Sequence, residues 1–389
     1  MMPQVPFPLE ETFRRHFGVP PEVVVLSPGR VNLIGEHTDY NEGWVLPAAL
    51  DLGTAVAVRR RPDGRLRTVA LRLAATDEVA LAELRPPRGP TWSRYVRGVA
   101  ALLLEAGCVF PGADLLIDGD LPLEAGLSSS ASLELGVALA LAALAGCSIE
   151  RRALARLGQQ AEHDFAGVPC GIMDQMAVAL GKAGHALLLD CRTLEIEPVP
   201  FPPEARLLIV DSGVPRSLAA SAYRERRAEC EEAVRRLQAL YPQVRALRDV
   251  TPEMLAEAQA ALPENLRRRA RHVVNENRRV LDSVAALRSG DLEAFGRLMD
   301  ASHESLRGDF EVSGPELDLL VECARRMPGV WGARLTGAGF GGSIIALVEA
   351  EQAGPASEGI LEEYRRKGGR PGRAWVCMPA EGVRLVNPP

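Results

Sequence analysis

The sequence predicts an α+β protein built from two lobes, and three observations lead to this prediction. A chain of 389 residues is longer than one hydrophobic core usually serves and suits two packed lobes. Apolar residues make up 47% of the chain and charged residues 25%, so the chain can bury enough apolar surface to fold. Strand-like and helix-like segments do not alternate regularly, which argues against a parallel sheet of βαβ units.

Local patterns predict the elements in order. Short β-branched segments predict strands at 22–26 and 54–58, and apolar residues at helical spacing predict helices at 92–106 and 130–145. From 214 to 327 the pattern is mostly helical, and strands are predicted again at 333–335, 343–348 and 375–376. The Pro-rich stretch 198–203 separates the two parts, because proline interrupts helices and strand ladders alike. The predicted lobes are therefore residues 1–200 and 201–389.

The charge balance argues against several classes of partner. A net charge of -6 leaves no basic surface for nucleic acid or for an anionic membrane. The longest apolar run, 135–147, is too short to cross a bilayer, and residues 1–6 lack the basic and apolar regions of a secretion signal. We therefore expect a cytoplasmic protein with small-molecule partners and with neither nucleic acid nor membrane as a partner.

The cysteines and lysines argue against disulfides, structural zinc and one common type of phosphate loop. The seven cysteines include no C-x-x-C pair, which favours reduced thiols over disulfides or structural zinc. Lys182 and Lys367 are the only lysines, and neither lies in the G-x-x-x-x-G-K-[ST] pattern. A Walker-type phosphate loop is therefore excluded.

The first segment that could carry chemistry is 27–41, which follows a predicted strand. It gathers Arg30, Glu36, His37 and Asp39 around two glycines. Carboxylates that accept two hydrogen bonds, together with Arg or His donors, suit the vicinal hydroxyls of a sugar. A polar surface turn with an incidental ion pair is the alternative interpretation.

The second segment, 121–133, places Gly126 and the serines 128–130 at the start of an Ala- and Leu-rich helix. Unpaired backbone N–H groups and the positive end of the helix dipole suit phosphate oxygens, and Ser130 could also ligate a metal. An ordinary serine N-cap would give the same pattern.

The third segment, 161–175, runs from a helix end at Glu162 through a Gly/Pro loop to Asp174. Such a loop can aim a carboxylate into a cleft, where it could take a proton from a hydroxyl group. Asp174 could equally be a first-turn charge that the helix dipole favours.

The fourth segment, 336–342, contains G-x-G-x-x-G. A dinucleotide fold needs this turn between a strand and a helix, whereas here a second strand is predicted to follow. The pattern predicts a hairpin, either close to a phosphate or simply requiring positive φ angles.

In their order and wording these four segments resemble the GHMP small-molecule kinases, and 29–41 resembles the members that phosphorylate galactose. Residues 211–219, 223–227 and 271–274 extend the resemblance over nearly the whole chain. It implies the two-lobed GHMP fold with the active site in the cleft between the lobes. It also implies in-line transfer of the γ-phosphoryl group from ATP to the C1 hydroxyl of D-galactose, which gives α-D-galactose 1-phosphate and ADP.

The resemblance also implies roles for single residues. Asp174 and Arg30 match the catalytic pair, and whether Asp174 acts as a base or as an electrostatic stabiliser stays open. The implied galactose contacts are Arg30, Glu36, His37, Asp39, Gly171, Asp174 and Tyr223. The implied ATP contacts are Gly126, Leu127, Ser128, Ser129, Ser130 and Trp92. Ser130 and Glu162 match the ligands of Mg²⁺.

Some alternatives remain open at the level of sequence. Glu124 stands where the family's phosphate loop more often has glycine, and a carboxylate there would repel phosphates. A related sugar-1-kinase acting on N-acetylgalactosamine or another hexose, or a sensor of sugar and ATP without turnover, would show much the same residues. A nicotinamide oxidoreductase would rest on the G-x-G-x-x-G match alone, and the oligomeric state is not predicted.

Overall fold

Three β-sheets organise the chain in the computed structural model, which describes residues 9–85, 89–122, 125–214 and 219–387. The strands are β1 (Val23–Asn32), β2 (Trp44–Val45), β3 (Pro47–Arg60), β4 (Arg65–Ala70), β5 (Ala75–Ala80), β6 (Ala113–Gly119), β7 (His185–Asp190), β8 (Ile196–Pro200), β9 (Ala205–Asp211), β10 (Val330–Leu335), β11 (Ser343–Glu349), β12 (Arg373–Cys377) and β13 (Arg384–Asn387). The sheets have the orders β13-β1-β3-β6-β4-β5, β10-β11-β9-β12 and β2-β7-β8.

Helices cover these sheets. They are α1 (Leu9–Phe17), α2 (Thr91–Glu105), α3 (Ser129–Leu144), α4 (Arg151–Ala161), α5 (Met173–Leu180), α6 (Ala219–Gln238), α7 (Pro252–Glu257), α8 (Glu264–Ser289), α9 (Leu292–Ser305), α10 (Pro315–Arg325) and α11 (Ala353–Arg366). The predicted α+β class is confirmed, as are the mostly helical region from α6 to α10 and the helices α2 and α3. Within the described residues, no helix combines the length and apolar character needed to cross a membrane.

Helix α3 lies at the centre of the first half and packs against β1, β3 and α2. Its Ala and Leu side chains are buried or half-buried on every side, which agrees with a helix that has no solvent-facing stripe. Because Ala and Leu are strong helix formers, the same residues that fill the core also fix the helix. The N-terminus of α3 lies beside the end of β1, where the Arg30 backbone N–H donates to the carbonyl of Leu127.

The segment 27–41 is only in part the polar turn that its sequence suggests. Residues Ser27 to Asn32 continue β1 and are buried, and the register of β1 on β3 shifts between Pro28 and Arg30. Such an irregularity accommodates a proline inside a strand, where the lost N–H would otherwise break the ladder. Arg30 therefore projects from a strand, and the turn begins only after it.

The Pro-rich stretch likewise differs from the prediction in part, because Ile196–Pro200 forms β8. This strand pairs only with β7 and lies at the edge of its sheet, a position that tolerates proline. One hydrophobic cluster joins residues from both sides of the stretch, including Leu33, Ile209 and Phe295. Strand β13 also returns to pair with β1. The boundary at 200 stays a prediction.

Candidate active site

A cavity of about 310 Å³ lies where the ends of β1, α3 and α5 meet helix α6 and the turn between β10 and β11. Every residue that the resemblance assigns to galactose lines it: Arg30, Glu36, His37, Asp39, Gly171, Asp174 and Tyr223. Gly126, the serines 128–130 and Glu162 line the same cavity. Of the predicted set, Leu127 and Trp92 lie outside its lining.

Arg30 and Asp174 form a two-pronged ion pair at the floor of this cavity. The Arg30 Nε donates to Oδ1 of Asp174 at 2.7 Å, and Nη2 donates to Oδ2 at 2.8 Å. The remaining terminal nitrogen, Nη1, donates to the carbonyl of Gly126 at 2.7 Å. Since a guanidinium fork matches a carboxylate in plane and spacing, this pairing fixes the orientation of Asp174. The guanidinium is buried, so the pair is poorly screened.

Ser128 connects this pair to the start of α3. Its hydroxyl donates to Oδ2 of Asp174, and its backbone is left-handed, with a φ of 56°. A left-handed residue other than glycine is uncommon and is found where the surrounding structure enforces it. Ser128 does not cap α3 with its side chain, so the simple N-cap interpretation is wrong at this position.

Asp39 faces the same cavity beside the 167–171 loop. Burial, and then the negative charge of Asp174, raise its pKa to about 7. Two carboxylates that face one small space repel each other unless donors separate them. This part of the cavity is therefore built to receive donors, such as the hydroxyl groups of a sugar.

His37 is neutral and held in an aromatic cluster. Burial, then the charges of His272 and Arg226, lower its pKa to about 3. Because a carbonyl only accepts, His37 donates from Nε2 to the carbonyl of Ala338 at 3.3 Å, and its Nδ1 accepts from the Tyr40 hydroxyl at 2.8 Å. Its ring lies 5.8 Å from that of Tyr223, which borders the cavity.

Glu36 is held by the fourth segment. Its Oε1 accepts from the backbone N–H of Gly337 at 2.7 Å and from the Thr336 hydroxyl at 3.2 Å. The segment is the predicted hairpin between β10 and β11, with a left-handed backbone at Gly337, Gly339 and Phe340. It opens no helix, so the context of a dinucleotide fold is missing and the oxidoreductase alternative loses its basis.

Glu162 lines the cavity and also belongs to a buried polar cluster. Gln175 donates through Nε2 to Oε2 of Glu162 at 2.8 Å and to Oε2 of Glu134 at 3.1 Å. Burial, and then the charge of Asp174, raise the pKa of Glu162 to about 7. Carboxylates gathered in this way are suited to a cation.

A second cavity, of about 360 Å³, adjoins the first. It is mostly apolar and includes Trp92, Tyr95, Leu73 and Ile117 in its lining. The linings share Ser129 and Ser130, so the two cavities meet at the N-terminus of α3. The arrangement offers one polar and one apolar compartment joined at a site suited to phosphate.

Sequence reasoning missed several residues of this site, among them Glu134, Gln175, Tyr95 and Arg334. Glu134 is a single carboxylate in an otherwise apolar helix, and that isolation was a usable signal. Arg334 is close to Glu36 only through the fold. Glu124 and the positions 215–218 of the resemblance lie outside the described residues.

Three family models match the chain. The model described as the galactokinase galactose-binding signature matches residues 11–60. Those described as the GHMP kinases N terminal domain and the GHMP kinases C terminal match residues 94–182 and 283–366. Together they cover most of the residues that line the first cavity, whereas Tyr223 of that cavity and Trp92 of the second lie between the matched ranges.

Individual proteins agree with these models. A galactokinase from Roseiflexus sp. is 49% identical over 97% of this chain and 96% of that protein. The crystal structure of Lactococcus lactis galactokinase complexed with galactose has a TM-score of 0.92 and 40% identity, covering 97% of this chain and 98% of that one. A mevalonate kinase structure, 21% identical with a TM-score of 0.66 over 92% of this chain and 99% of that one, shares the fold.

The fold, the two joined cavities and the family models define the chain as a kinase of the GHMP type. Within that class, the galactose-binding signature and the relatives that match over nearly the whole chain are galactokinases. The chain belongs to the galactokinases of the GHMP kinase family.

Proposed function

We propose that the protein transfers the γ-phosphoryl group of ATP to the C1 hydroxyl of D-galactose, giving α-D-galactose 1-phosphate and ADP. The observation that carries this proposal is the position of the Arg30–Asp174 pair, in a polar cavity that meets an apolar cavity at Ser129 and Ser130. Galactose occupies the polar cavity and the nucleotide the apolar one. The γ-phosphorus then lies at the junction, in line with the attacking hydroxyl.

Asp174 accepts a hydrogen bond from the C1 hydroxyl and is placed to take its proton. The bond from the C1 oxygen to the γ-phosphorus forms as the bond from that phosphorus to the bridging oxygen of ADP breaks. Arg30 holds the Asp174 carboxylate in one plane and brings positive charge to the negative transition state. Glu36, His37, Asp39 and Tyr223 fix the other hydroxyls of the sugar.

The nucleotide site is proposed along the second cavity and the start of α3. Trp92 and Tyr95, one helical turn apart on α2, offer aromatic faces to the base. The backbone N–H groups from Gly126 to Ser130 face the phosphates with the dipole of α3 behind them. The carbonyl of Leu127 accepts from the Arg30 backbone at 3.1 Å, so Leu127 contributes through its backbone.

Magnesium fits this site as an ion that binds together with ATP. Ser130 and Glu162 both line the polar cavity, and hydroxyl and carboxylate oxygens are ligands that Mg²⁺ prefers. Among the described residues no group of three or more His, Cys, Asp or Glu forms a complete metal site, so phosphates and water would supply the other ligands. When bound, the ion neutralises charge on the β- and γ-phosphates.

We also propose a cytoplasmic location, where ATP is available.

An ADP-release assay with Mg-ATP tests this function across galactose, glucose, N-acetylgalactosamine, mevalonate and homoserine. Galactose should give the highest kcat/KM. Glucose, its C4 epimer, should be poor, because each buried polar group left unpaired costs about 1–3 kcal/mol. Equal rates on glucose would contradict the assignment. A preference for N-acetylgalactosamine would favour the related sugar-1-kinase, and binding of both ligands without ADP release would favour a sensor.

A further inference from the structure

The turn between β10 and β11 contacts two residues of the segment 27–41, Glu36 and His37. Gly337 donates to Glu36 through its backbone N–H, and the Thr336 hydroxyl shares its proton between Glu36 and the carbonyl of Asn32, each at 3.2 Å. The carbonyl of Ala338 accepts from His37. The contacts to Glu36 join residues that are 300 and 301 positions apart in the sequence. The Gly-rich turn thus contacts the acceptor side of the cavity.

Arg334, two residues before Thr336, is buried completely behind this contact. Its Nη1 donates to the carbonyls of Asn32 and Leu33, each at 3.0 Å, and its Nη2 lies 3.3 Å from Oε1 of Glu36. Within the described part of the chain, its Nε and Nη2 make no hydrogen bond, and Glu36 is its ion-pair partner. A buried cation held in this way depends on its carboxylate partner, because an unpaired buried charge is strongly unfavourable.

All the described contacts of the Glu36 side chain fall on one oxygen. Oε1 receives Thr336, Gly337 and Arg334, whereas no described residue bonds to Oε2. Glu36 lines the cavity although its side chain is almost fully buried. Oε2 is therefore the oxygen left to face a ligand, and Glu36 offers the sugar one acceptor atom rather than two.

We infer that Arg334 and Thr336 are positioning residues of the acceptor site, which hold Oε1 of Glu36 so that Oε2 faces the sugar. This inference rests on the proposed function, since it assumes that galactose occupies the polar cavity. Neither side chain lines the cavity, so each acts through Glu36. The Gly-rich turn, which resembles a phosphate loop in sequence, serves the sugar instead.

Hydroxyl and charge variants test the inference in the full-length enzyme. Thr336→Val keeps the shape and removes the donor, whereas Thr336→Ser keeps the donor. Arg334→Lys keeps the charge and removes the planar fork. We expect Thr336→Val and Arg334→Lys to raise the KM for galactose about tenfold, with the KM for ATP changed by less than about twofold. The KM for galactose of Thr336→Ser should stay close to that of the parent.

A matched control separates positioning from a general loss of stability. Arg269 is also a buried arginine, paired with Glu229 and Glu311 away from the cavity lining. Arg269→Lys should lower the melting temperature without changing the KM for galactose. The inference is overturned if Thr336→Val and Arg334→Lys fold and bind galactose like the parent, or if both ligands weaken equally. If Arg334→Lys fails to fold, the comparison of Thr336→Val with Thr336→Ser in the KM for galactose decides the question. A parent enzyme inactive on galactose would instead refute the proposed function.

Discussion

The Asp39 carboxylate occupies the space that a β-carbon on residue 171 would need. A β-carbon built on Gly171 would overlap Oδ2 and Cγ of Asp39. The backbone of Gly171 is not left-handed, so the requirement for glycine here comes from Asp39 and not from φ. The loop that presents Asp174 and the turn that presents Asp39 are therefore in direct steric contact.

Gly171→Ala should displace the Asp39 carboxylate and weaken galactose binding. We expect the KM for galactose to rise about tenfold or more, because a misplaced carboxylate leaves a sugar hydroxyl unpaired. The KM for ATP should change little. Gly354→Ala is the control, since residue 354 has open space around it in α11 and alanine favours helix. Unchanged galactose kinetics in Gly171→Ala would show that Asp39 has room to move.

Asp39→Asn should raise stability in a pH-dependent way. The folded-state pKa of about 7 lies above the ordinary value of 3.8, so the folded state binds the proton more tightly than the unfolded state. The wild-type protein therefore loses stability from this group as pH rises between about 4 and 7, and the variant does not. The melting temperature of Asp39→Asn should exceed that of the parent most at about pH 8.

Asp249 provides a control of opposite sign for that experiment. Although burial opposes it, hydrogen bonds from Arg192 and from backbone N–H groups lower the pKa of Asp249 to about 2. The stabilisation that Asp249 gives to the folded state is present above its unfolded pKa and is lost in acid. Asp249→Asn should therefore lower the melting temperature at neutral pH, and lower it less below about pH 3. A constant difference for Asp39→Asn from pH 4 to 8 would contradict the raised pKa.

Trp92→Ala should weaken the nucleotide and spare the sugar. Aromatic contact with a base contributes about 1–3 kcal/mol per base in other systems, so we expect the KM for ATP to rise about fivefold to a hundredfold. Trp92→Phe should recover part of the loss, because it keeps a ring in the second cavity. A larger effect on galactose than on ATP would place the nucleotide elsewhere.

Ser130→Ala and Glu162→Gln should each weaken the binding of Mg-ATP and shift the magnesium dependence of the rate to higher concentration. The lost oxygen ligands are the reason, and excess Mg²⁺ should recover part of the rate. Calorimetric titration of Mg-ATP measures the binding without turnover. Ser289→Ala removes a hydroxyl at the far end of α8 and should leave both measurements unchanged. Normal magnesium curves in both site variants would remove these residues from the metal site.

Local patterns predicted what local forces determine. Helix α2 and the strand segments of the second half were readable from their apolar patterns, and α3 from its run of Ala and Leu, which favour helix. The extension of β1 through Pro28 and Gly29 was not, since its polar and irregular sequence resembles a turn. The return of β13 to β1 depends on tertiary pairing that no local window contains.

The site shows the same division. Residue patterns pointed to the segments that contain Arg30 and Asp174, the family resemblance implied their roles, and the fold brings the two residues together across 144 positions. The partners of the site carboxylates were hidden, because Ser128 reaches Asp174, Gln175 reaches Glu162 and Arg334 reaches Glu36 only in the folded chain. Residue types near a motif can suggest chemistry, whereas the partners that position those residues require the fold.

Asp174→Asn tests most directly whether Asp174 acts on the C1 hydroxyl of galactose. The variant keeps the size of the side chain and removes its charge and basicity. We expect kcat to fall by about 10²–10⁴ while galactose and Mg-ATP still raise the melting temperature by binding to the folded state. A variant with intact folding, intact stabilisation by both ligands and near-normal kcat would show that Asp174 is only a charge at the start of a helix, and would contradict the mechanism.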